Sequence, residues 1–435
     1  VEGCSPGPDF DAAWYLAQYP DVAAAKLNPL VHYIRWGAIE GRGPGSVDKP
    51  AAIRTPQQAG NPFTNETSPE ELEDFARRRL LLQRERDFVT LRDDSLFDAK
   101  FYLSPSAAIY ERDDAIVEFL DHWDAQDLYE GAAQDYMRRP CAGFHPKIYA
   151  HENSEFYYTL GVNPLSHFIR SGKPDGPWCH EVITPNSGMP AGDLKLRVAI
   201  HGHFYYADLA KDFLSRVSAN RTPCDLFLTT DDGAKSRALR KVTRGYDRGE
   251  VSIRIVPNRG RDIGALLTAF GPDLLNEYDI IGHVHGKRSL AAGDQEIGKR
   301  WREFLWQNLL GDSYPMMDVI IGSLAADKAL GLVFPCDPHV VDWDHNRKIA
   351  ESLARRMGIE EQLPPFFDFP VGTMFWCRAN ALRPLFDLKL GWEDYPDEPI
   401  ASDGTILHAV ERLLPFVVQK AGYRFCTTYV PDVTR

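Results

Sequence analysis

Two polar clusters carry residue types able to do chemistry: Asn258, Arg259, Arg261 and Asp262, then His283, His285 and Lys287. Each closes an apolar, β-like run, VSIRIVP in the first case and YDIIGHVH in the second. In an open α/β sheet, ligands bind just beyond the carboxyl ends of the strands. Two such clusters in succession therefore predict one site built from neighbouring strand ends. Cations, two imidazoles and a carboxylate in one place suit a phosphorylated ligand.

The elements that must position these residues follow from periodicity. From Lys195 onward, strands alternate with amphipathic helices: LKLRVAIHGHFY, CDLFLTTDD, VSIRIVPNRG and YDIIGHVHG read as strands, and ADLAKDFLSRVSA, GAKSRALRKVTRGY and DIGALLTAFGPDLL as the helices between them. That pattern predicts an α/β fold with a mostly parallel, doubly wound sheet. Aligning the strand ends puts His201, Asp231, Asp232, Asn258 and His283 near one rim. Farther on, KRWREFLWQNLLG reads as a helix, LGLVFP as a strand, EDYPDEPIASDG as an acidic loop, TILHAVERLLPFVVQKAG as a helix and RFCTTYVP as a last short strand.

The first 190 residues read differently, as an α-helical region. FDAAWYLAQYPDV with NPLVHYIRWGAIEGRGP recurs as FHPKIYAHEN with NPLSHFIRSGKPDGP, and more weakly as FDAKFYLSPSAAIY with AIVEFLDHW, giving three degenerate repeats at about 10–45, 97–132 and 144–178. Asn-Pro suits a helix start, because proline is tolerated in the first turn. His32, His122 and His167 recur in these repeats, but no Cys, Asp or Glu recurs with them at ligand spacing, so hairpin packing is expected rather than a metal site. Residues 46–68 read as a linker, and Ser68 opens a long helix, SPEELEDFARRRLLLQRERDFVTLR. The boundary before the second domain, 195–435, is expected between these two patterns.

A chain of 435 residues with 44% hydrophobic content can bury more than one core. Its net charge of -13 argues against nucleic acid as a partner. No apolar run approaches the roughly 18 residues of a membrane span, and the N-terminus lacks the order of a signal peptide. A cytoplasmic protein is expected, with peripheral docking at the inner face of the membrane as the alternative. Seven cysteines, odd in number and without a C-x-x-C pair, read as reduced packing residues. Because Val1 opens the chain, a piece of a longer protein is expected.

The ordered set TTDD, VPNRGRDIGALL, YDIIGHVHGKRS, VGTMFWCRANALRPL and DGTILHAVERLLPFVVQKAGY resembles the motifs of the rhamnan synthesis protein F family, over about Lys195 to Tyr429. The resemblance implies a bacterial glycosyltransferase of the GT-A type that builds a rhamnose-containing surface polysaccharide such as O-antigen, part of lipopolysaccharide. It implies a nucleotide-sugar donor, dTDP-rhamnose first among them, and a lipid-linked or oligosaccharide acceptor. By the same resemblance Thr230, Asp231 and Asp232 hold the nucleoside, and Asn258 to Gly264 form the polar turn after the third strand. A turn or helix cap is the plainer reading of the two aspartates, and a buried ion pair the plainer reading of Arg259, Arg261 and Asp262.

One departure stands out. Where GT-A enzymes carry an acid-x-acid motif for a divalent metal, this chain has His283, Val284 and His285, followed by Lys287 and Arg288. No cofactor is expected, the cations and imidazoles meeting the charge of the departing diphosphate directly. A divalent metal on His283 and His285 is the alternative, as is plain packing of both. Asp403, in SDGTILHAVERL, matches the late acid that takes the acceptor's proton in an inverting transferase, and helix capping is its competing role. Glu393, Asp394, Asp397 and Glu398 are rival acids in the preceding loop. Trp376 is a candidate for stacking on a sugar and His408 for facing the acceptor, each with core packing as the alternative. Two other functions fit the same residues: a glycan-binding scaffold without catalysis, and a phosphotransfer or nucleotidyl enzyme.

Overall fold

The computed structural model describes residues 12–20, 22, 29, 42, 69–103, 111–123, 137–154, 162–188, 195–286 and 295–435. The expected linker, His32, Lys287 and Arg288 lie outside them. Two compact units result, one made of residues 1–94, 116–131 and 150–174, the other of residues 95–115, 132–149 and 175–435. Segments 95–115, 132–149 and 175–190, expected within the helical region, are thus counted with the sheet.

In the first unit the long helix Pro69–Asp93 begins where Ser68 and Pro69 predicted. Its buried Asp87 accepts hydrogen bonds from Arg170 Nη1 at 2.8 Å and from the Asn163 backbone N–H at 3.1 Å. Asn163 is also the N-cap of the repeat helix Pro164–Arg170, its side chain accepting from Leu165 and Ser166 N–H groups. The Asn-Pro signature therefore works as expected, capping and then opening a helix. His122 Nδ1 lies 2.8 Å from the Glu118 carbonyl and His167 Nδ1 3.4 Å from Ser171 Oγ, so both engage their own helices.

The second unit holds an eight-stranded sheet. Its strands are β1 (Val182–Ile183), β2 (Val198–His203), β3 (Asp225–Thr230), β4 (Val251–Ile255), β5 (Ile280–His285), β6 (Leu330–Pro335), β7 (Phe375–Arg378) and β8 (Arg424–Thr428). Their order is β1-β8-β6-β7-β5-β2-β3-β4. All neighbours pair in parallel except β7, which is antiparallel to both β5 and β6. A mostly parallel sheet is covered on both faces, so its central strands are buried on both sides, whereas β4 at the edge is largely exposed. One face, carrying Ala199, Phe227, Ile281, Phe375 and Cys377, packs on Ile263, Leu266 and Phe270 and on the helix Ile406–Lys420. The other, carrying Ile200, Leu226, Leu228, Val284 and Trp376, packs on Phe213, Trp306 and the mostly apolar helix Met316–Ala326.

The chain winds outward through β2, β3 and β4, then returns to lay β5 on the other side of β2. That reversal is a topological switch point, where open α/β sheets form their ligand crevice. The register there is pinned by packing. A Cβ at Gly282 would stand 2.7 Å from Trp376 Cζ3, so the indole occupies the space that a side chain would need. Among the described residues no helix is long and apolar enough to cross a membrane, and the six described cysteines are free thiols.

Gly282→Ala is expected to destabilise the second unit by about 1–3 kcal/mol, the usual cost of overpacking. Urea unfolding should show a lower midpoint at an unchanged slope; an unshifted midpoint would mean that the indole has room to move.

Candidate active site

The strands β2, β3, β4 and β5 run parallel and end at His203, Thr230, Ile255 and His285. Antiparallel β7 starts at this same rim, preceded by the turn of Pro370 to Thr373. The helix Ile406–Lys420 leads down into β8, which is parallel to β6, so its first turn also lies at the rim. Asp403 therefore shares a rim with the histidines.

Cross-strand register assembles the imidazoles. His201 stands opposite His283, and His203 opposite His285, across the β2–β5 line. The rings of His201 and His283 stack with centroids 5.0 Å apart and their Nδ1 atoms at 3.0 Å. His283 Nε2 is 3.3 Å from Asp262 Oδ2, His201 Nε2 is 3.0 Å from Thr229 Oγ1, and His203 Nδ1 is 2.9 Å from the same hydroxyl.

Chemistry gives this chain one direction. The carboxyl of Asp262 is raised by burial but held far below the usual range by His285 and His283, so it is ionised and only accepts. His283 therefore donates from Nε2. With one proton on each ring, His283 accepts at Nδ1 from His201 Nδ1–H, His201 accepts at Nε2 from the Thr229 hydroxyl, and Thr229 accepts from His203 Nδ1–H. Burial, with neighbouring imidazoles, pushes His201 well below its usual pKa and His203 down to about 4. Both are neutral near pH 7.

A second polar string runs through Gly372. His285 Nε2 donates to the Gly372 carbonyl at 2.8 Å, and the Gly372 N–H donates to Glu411 Oε1 at 2.6 Å. The turn that presents both groups puts Gly372 at φ 93° and the β-branched Thr373 at φ 56°. A β-branched residue in the left-handed region is strained, and such strain concentrates where a site must be held. Thr373 is held by its own hydroxyl, 3.2 Å from Glu411 Oε1. Next along the helix, Arg412 reaches Asp344 at 2.7 Å and approaches Asp403 at 3.9 Å.

Asp403 accepts from Asn346 Nδ2 at 2.6 Å and from the His345 N–H at 3.1 Å. Burial would raise its pKa, but those bonds and the Arg412 guanidinium hold it below the usual value. It is not the helix cap: Thr405 takes that position, two residues on. His408 Nδ1 is 2.8 Å from Thr405 Oγ1, across the first turn of the helix.

Several expected contacts are corrected. Trp376 cannot stack on a sugar: it is fully buried, on the face opposite the histidines, with its indole N–H on the Leu309 carbonyl at 3.0 Å. His201 and His283 lie under the rim, both 0% exposed, because the register sets them one pleat below the strand ends. Thr230 is buried too, its hydroxyl donating to the Phe204 carbonyl. Arg259 and Arg261 turn to the acidic loop: Arg259 donates to the Tyr395 carbonyl at 2.7 Å and pairs with Asp397 at 3.3 Å, and Arg261 reaches Glu398 at 3.4 Å. Asp232 caps the helix Gly233–Thr243, and Asp231 pairs with Lys235 Nζ at 2.6 Å. Asn258 is exposed at the rim.

Among the described residues no group of three or more His, Cys, Asp and Glu is disposed to hold a metal ion. The Nε2 atoms of His283 and His285 face Asp262 and a carbonyl instead.

The comparisons with known proteins bear on the same region. Residues 162–423, more than half of the chain, match the family model described as rhamnan synthesis protein F. The chain belongs to the rhamnan synthesis protein F family. Uncharacterized protein WxcX of Xanthomonas campestris pv. campestris, in two strains, is 29% identical over 230 residues, a match covering 52% of this chain and 32% of the relative. The chain thus spans about a third of the length of these curated relatives. The family's name ties it to the synthesis of a polysaccharide.

In this rhamnan synthesis protein F family member, His203, Thr229, Thr373 and Glu411 join the cluster without having been predicted from sequence. A signal for His203 was present: HGH on β2 repeats the His-x-His spacing of HVH on β5. Thr229, Thr373 and Glu411 carry no spacing signal and emerge only from register and turn geometry.

The buried imidazoles predict a pH dependence. An unfolded histidine titrates near 6.5, whereas folded His203 does so at about 4. Between those values the unfolded chain binds more protons, so stability is complete above about pH 6.5 and declines as pH falls toward 4. Chemical denaturation at pH 7, 6, 5 and 4 should show that decline, and His203→Gln should flatten it; an unchanged slope would place His203 in solvent.

Proposed function

We propose that this chain is a glycosyltransferase that moves a sugar from a nucleotide-diphosphate donor onto a growing bacterial surface polysaccharide. The carrying observation is the polar rim at the switch point between β2 and β5, where this fold forms its ligand crevice, in a family named for rhamnan synthesis. By that name rhamnose is the sugar and dTDP-rhamnose the donor, with a lipid-linked or oligosaccharide acceptor. The reaction is inverting: an acceptor hydroxyl attacks the anomeric carbon, the bond to the diphosphate breaks, and a base takes the hydroxyl proton.

Asp403 is that base. It is ionised near neutrality, 27% exposed on the rim, and oriented by Asn346 and the His345 N–H. Asp231 and Asn258 are the nucleoside contacts, and Lys287 and Arg288, directly beyond β5, the cations for the diphosphate. His201 and His283 reach Asp262 and Thr229 instead, and Thr230 is tied to the Phe204 carbonyl. Imidazoles committed to a carboxylate and a carbonyl do not fit a divalent-metal site.

A thermal-shift screen of dTDP-, UDP- and GDP-sugars, each with and without chelator, tests the donor. Stabilisation by dTDP-rhamnose that survives chelator is the expected result, since a ligand bound only by the folded state raises its apparent stability. No shift with any nucleotide sugar, alongside retained glycan binding, would instead make the chain a binding scaffold. For the base, Asp403→Asn should lower kcat by about 100-fold or more while keeping the donor-induced shift. Full activity in that variant would move the role to another group.

A further inference from the structure

The hydrogen-bonded chain at the switch point ends in a nitrogen that the proposed reaction has not used. His203 commits its Nδ1–H to Thr229. Among the described residues no partner stands at its Nε2, and the residue keeps partial exposure at the end of β2. The chain behind it fixes which nitrogen that is. Asp262 accepts from His283 Nε2–H, and with one proton on each ring every partner down the line donates toward it, so the lone pair of the last imidazole is left on Nε2. A histidine locked in one tautomer by a carboxylate-terminated series has the logic of a catalytic triad.

The charged and titratable groups around His203 come from every neighbouring element. Asp262, on the helix after β4, favours its cation; His283 and His285 on β5 and His201 on its own strand oppose it. Asp231 at the end of β3 favours it, although Lys235 is already paired with that carboxylate. In the unliganded protein burial prevails and the ring is neutral. A diphosphate brings two negative charges to the same rim, and an anion within a few ångströms shifts an imidazole back toward its charged form.

We propose that His203 is a charge-switching donor ligand, taking up one proton when the diphosphate of a nucleotide sugar binds at the rim and presenting Nε2–H to a phosphate oxygen. This rests on the donor reading above. The proton comes from solvent and no bond but N–H forms. The four proton positions behind it also let the charge rest farther in: His203 Nδ1–H passes to Thr229, the Thr229 proton to His201 Nε2, and His201 Nδ1–H to His283 Nδ1. His283 is then an imidazolium beside Asp262. The charge thus has two stations, one toward the ligand and one toward the buried carboxylate.

Calorimetric titration of the protein with dTDP-rhamnose at pH 6, in two buffers of different ionisation enthalpy, measures the proton directly. The diphosphate of a nucleotide sugar has no proton to lose near that pH, so uptake reports the protein. Uptake of roughly half to one proton per site is expected, as follows from a pKa moving from below to near or above the working pH. In His203→Gln the sugar nucleotide should bind at least about 10-fold more weakly, with uptake near zero. Binding to the wild type without uptake overturns the inference and leaves the donor reading intact. Uptake that persists in a folded His203→Gln variant assigns the proton elsewhere and also overturns it. Should that variant fail to fold, NMR of histidine-labelled wild type decides: the His203 ring must change protonation on titration with the donor, and an unchanged ring sinks the proposal. If dTDP-rhamnose, UDP-glucose and GDP-mannose all fail to bind, the donor reading falls and this inference with it.

Discussion

The carboxylate of Asp262 sets the terms for everything around it. Its side chain is 14% exposed, and among the described residues its ion-pair partners are two imidazoles rather than a fixed cation. A desolvated carboxylate costs several kcal/mol unless its lone pairs are met. That demand fixes a proton of His283 on Nε2, and with one proton on each ring the remaining protons of the chain follow in order. Burial disfavours the charge of His201 and His203, so those two rings are neutral in a cluster whose carboxylate stays ionised. A lysine in place of either histidine would have closed the site as a plain ion pair.

The loop that shelters Asp262 is fixed by packing more than by charge. Arg259 and Arg261 are 31% and 43% exposed, and exposed ion pairs contribute little. Tyr395 does more. Its ring is 1% exposed, its hydroxyl lies 2.9 Å from Thr268 Oγ1, and its Cδ2 stands 2.7 Å from where a Gly260 Cβ would be. Gly260 also adopts φ 74°, so both its missing side chain and its left-handed backbone are required. The glycines of GRDIG therefore admit an aromatic ring from the acidic loop, and the arginines then brace that loop over the helix start. The residues that resemble a phosphate clamp are engaged with the acidic loop instead.

What was legible in the sequence follows from what alternation can and cannot say. Apolar runs between helical segments place LGLVFP on β6 to the residue, and find β2, β3, β4, β5 and β8. Met316–Ala326 escaped because a helix apolar on nearly every side has no amphipathic period to find. Trp376 was misjudged for a related reason. Within FWC, alternation says only that Phe375 and Trp376 face opposite ways; which of them faces the site depends on pairing with β5, where Phe375 meets His283. Pairing between distant strands leaves no trace in a single sequence. For the same cause His201 and His283 looked like rim residues, since a strand's end can be placed only to within a residue or two. Asp403 was legible as a polar residue before a helix, but its ties to Asn346 and Arg412 join segments far apart in the chain.

Register also explains why the imidazole chain exists at this line of the sheet and no other. Side chains at alternate positions share a face, and a slip of one residue moves the whole set to the other side. On β2 and β5 the positions between the histidines are Gly202 and Val284, with Gly282 preceding His283, and these face Phe204, Leu228 and Trp376. The large aromatic core on that face accepts glycines and a valine there and would reject imidazoles. Packing on the apolar face thus holds the histidines on the other, stacked with rings 8° from parallel. Parallel β2 and β5 meet only where the winding reverses, so the crevice that the topology opens and the chain of imidazoles beneath it arise from a single constraint. Of the four rings, His201 and His283 are sealed by the strands themselves and His285 is drawn toward Gly372, which leaves the end of β2 as the place where a ligand can address the buried carboxylate.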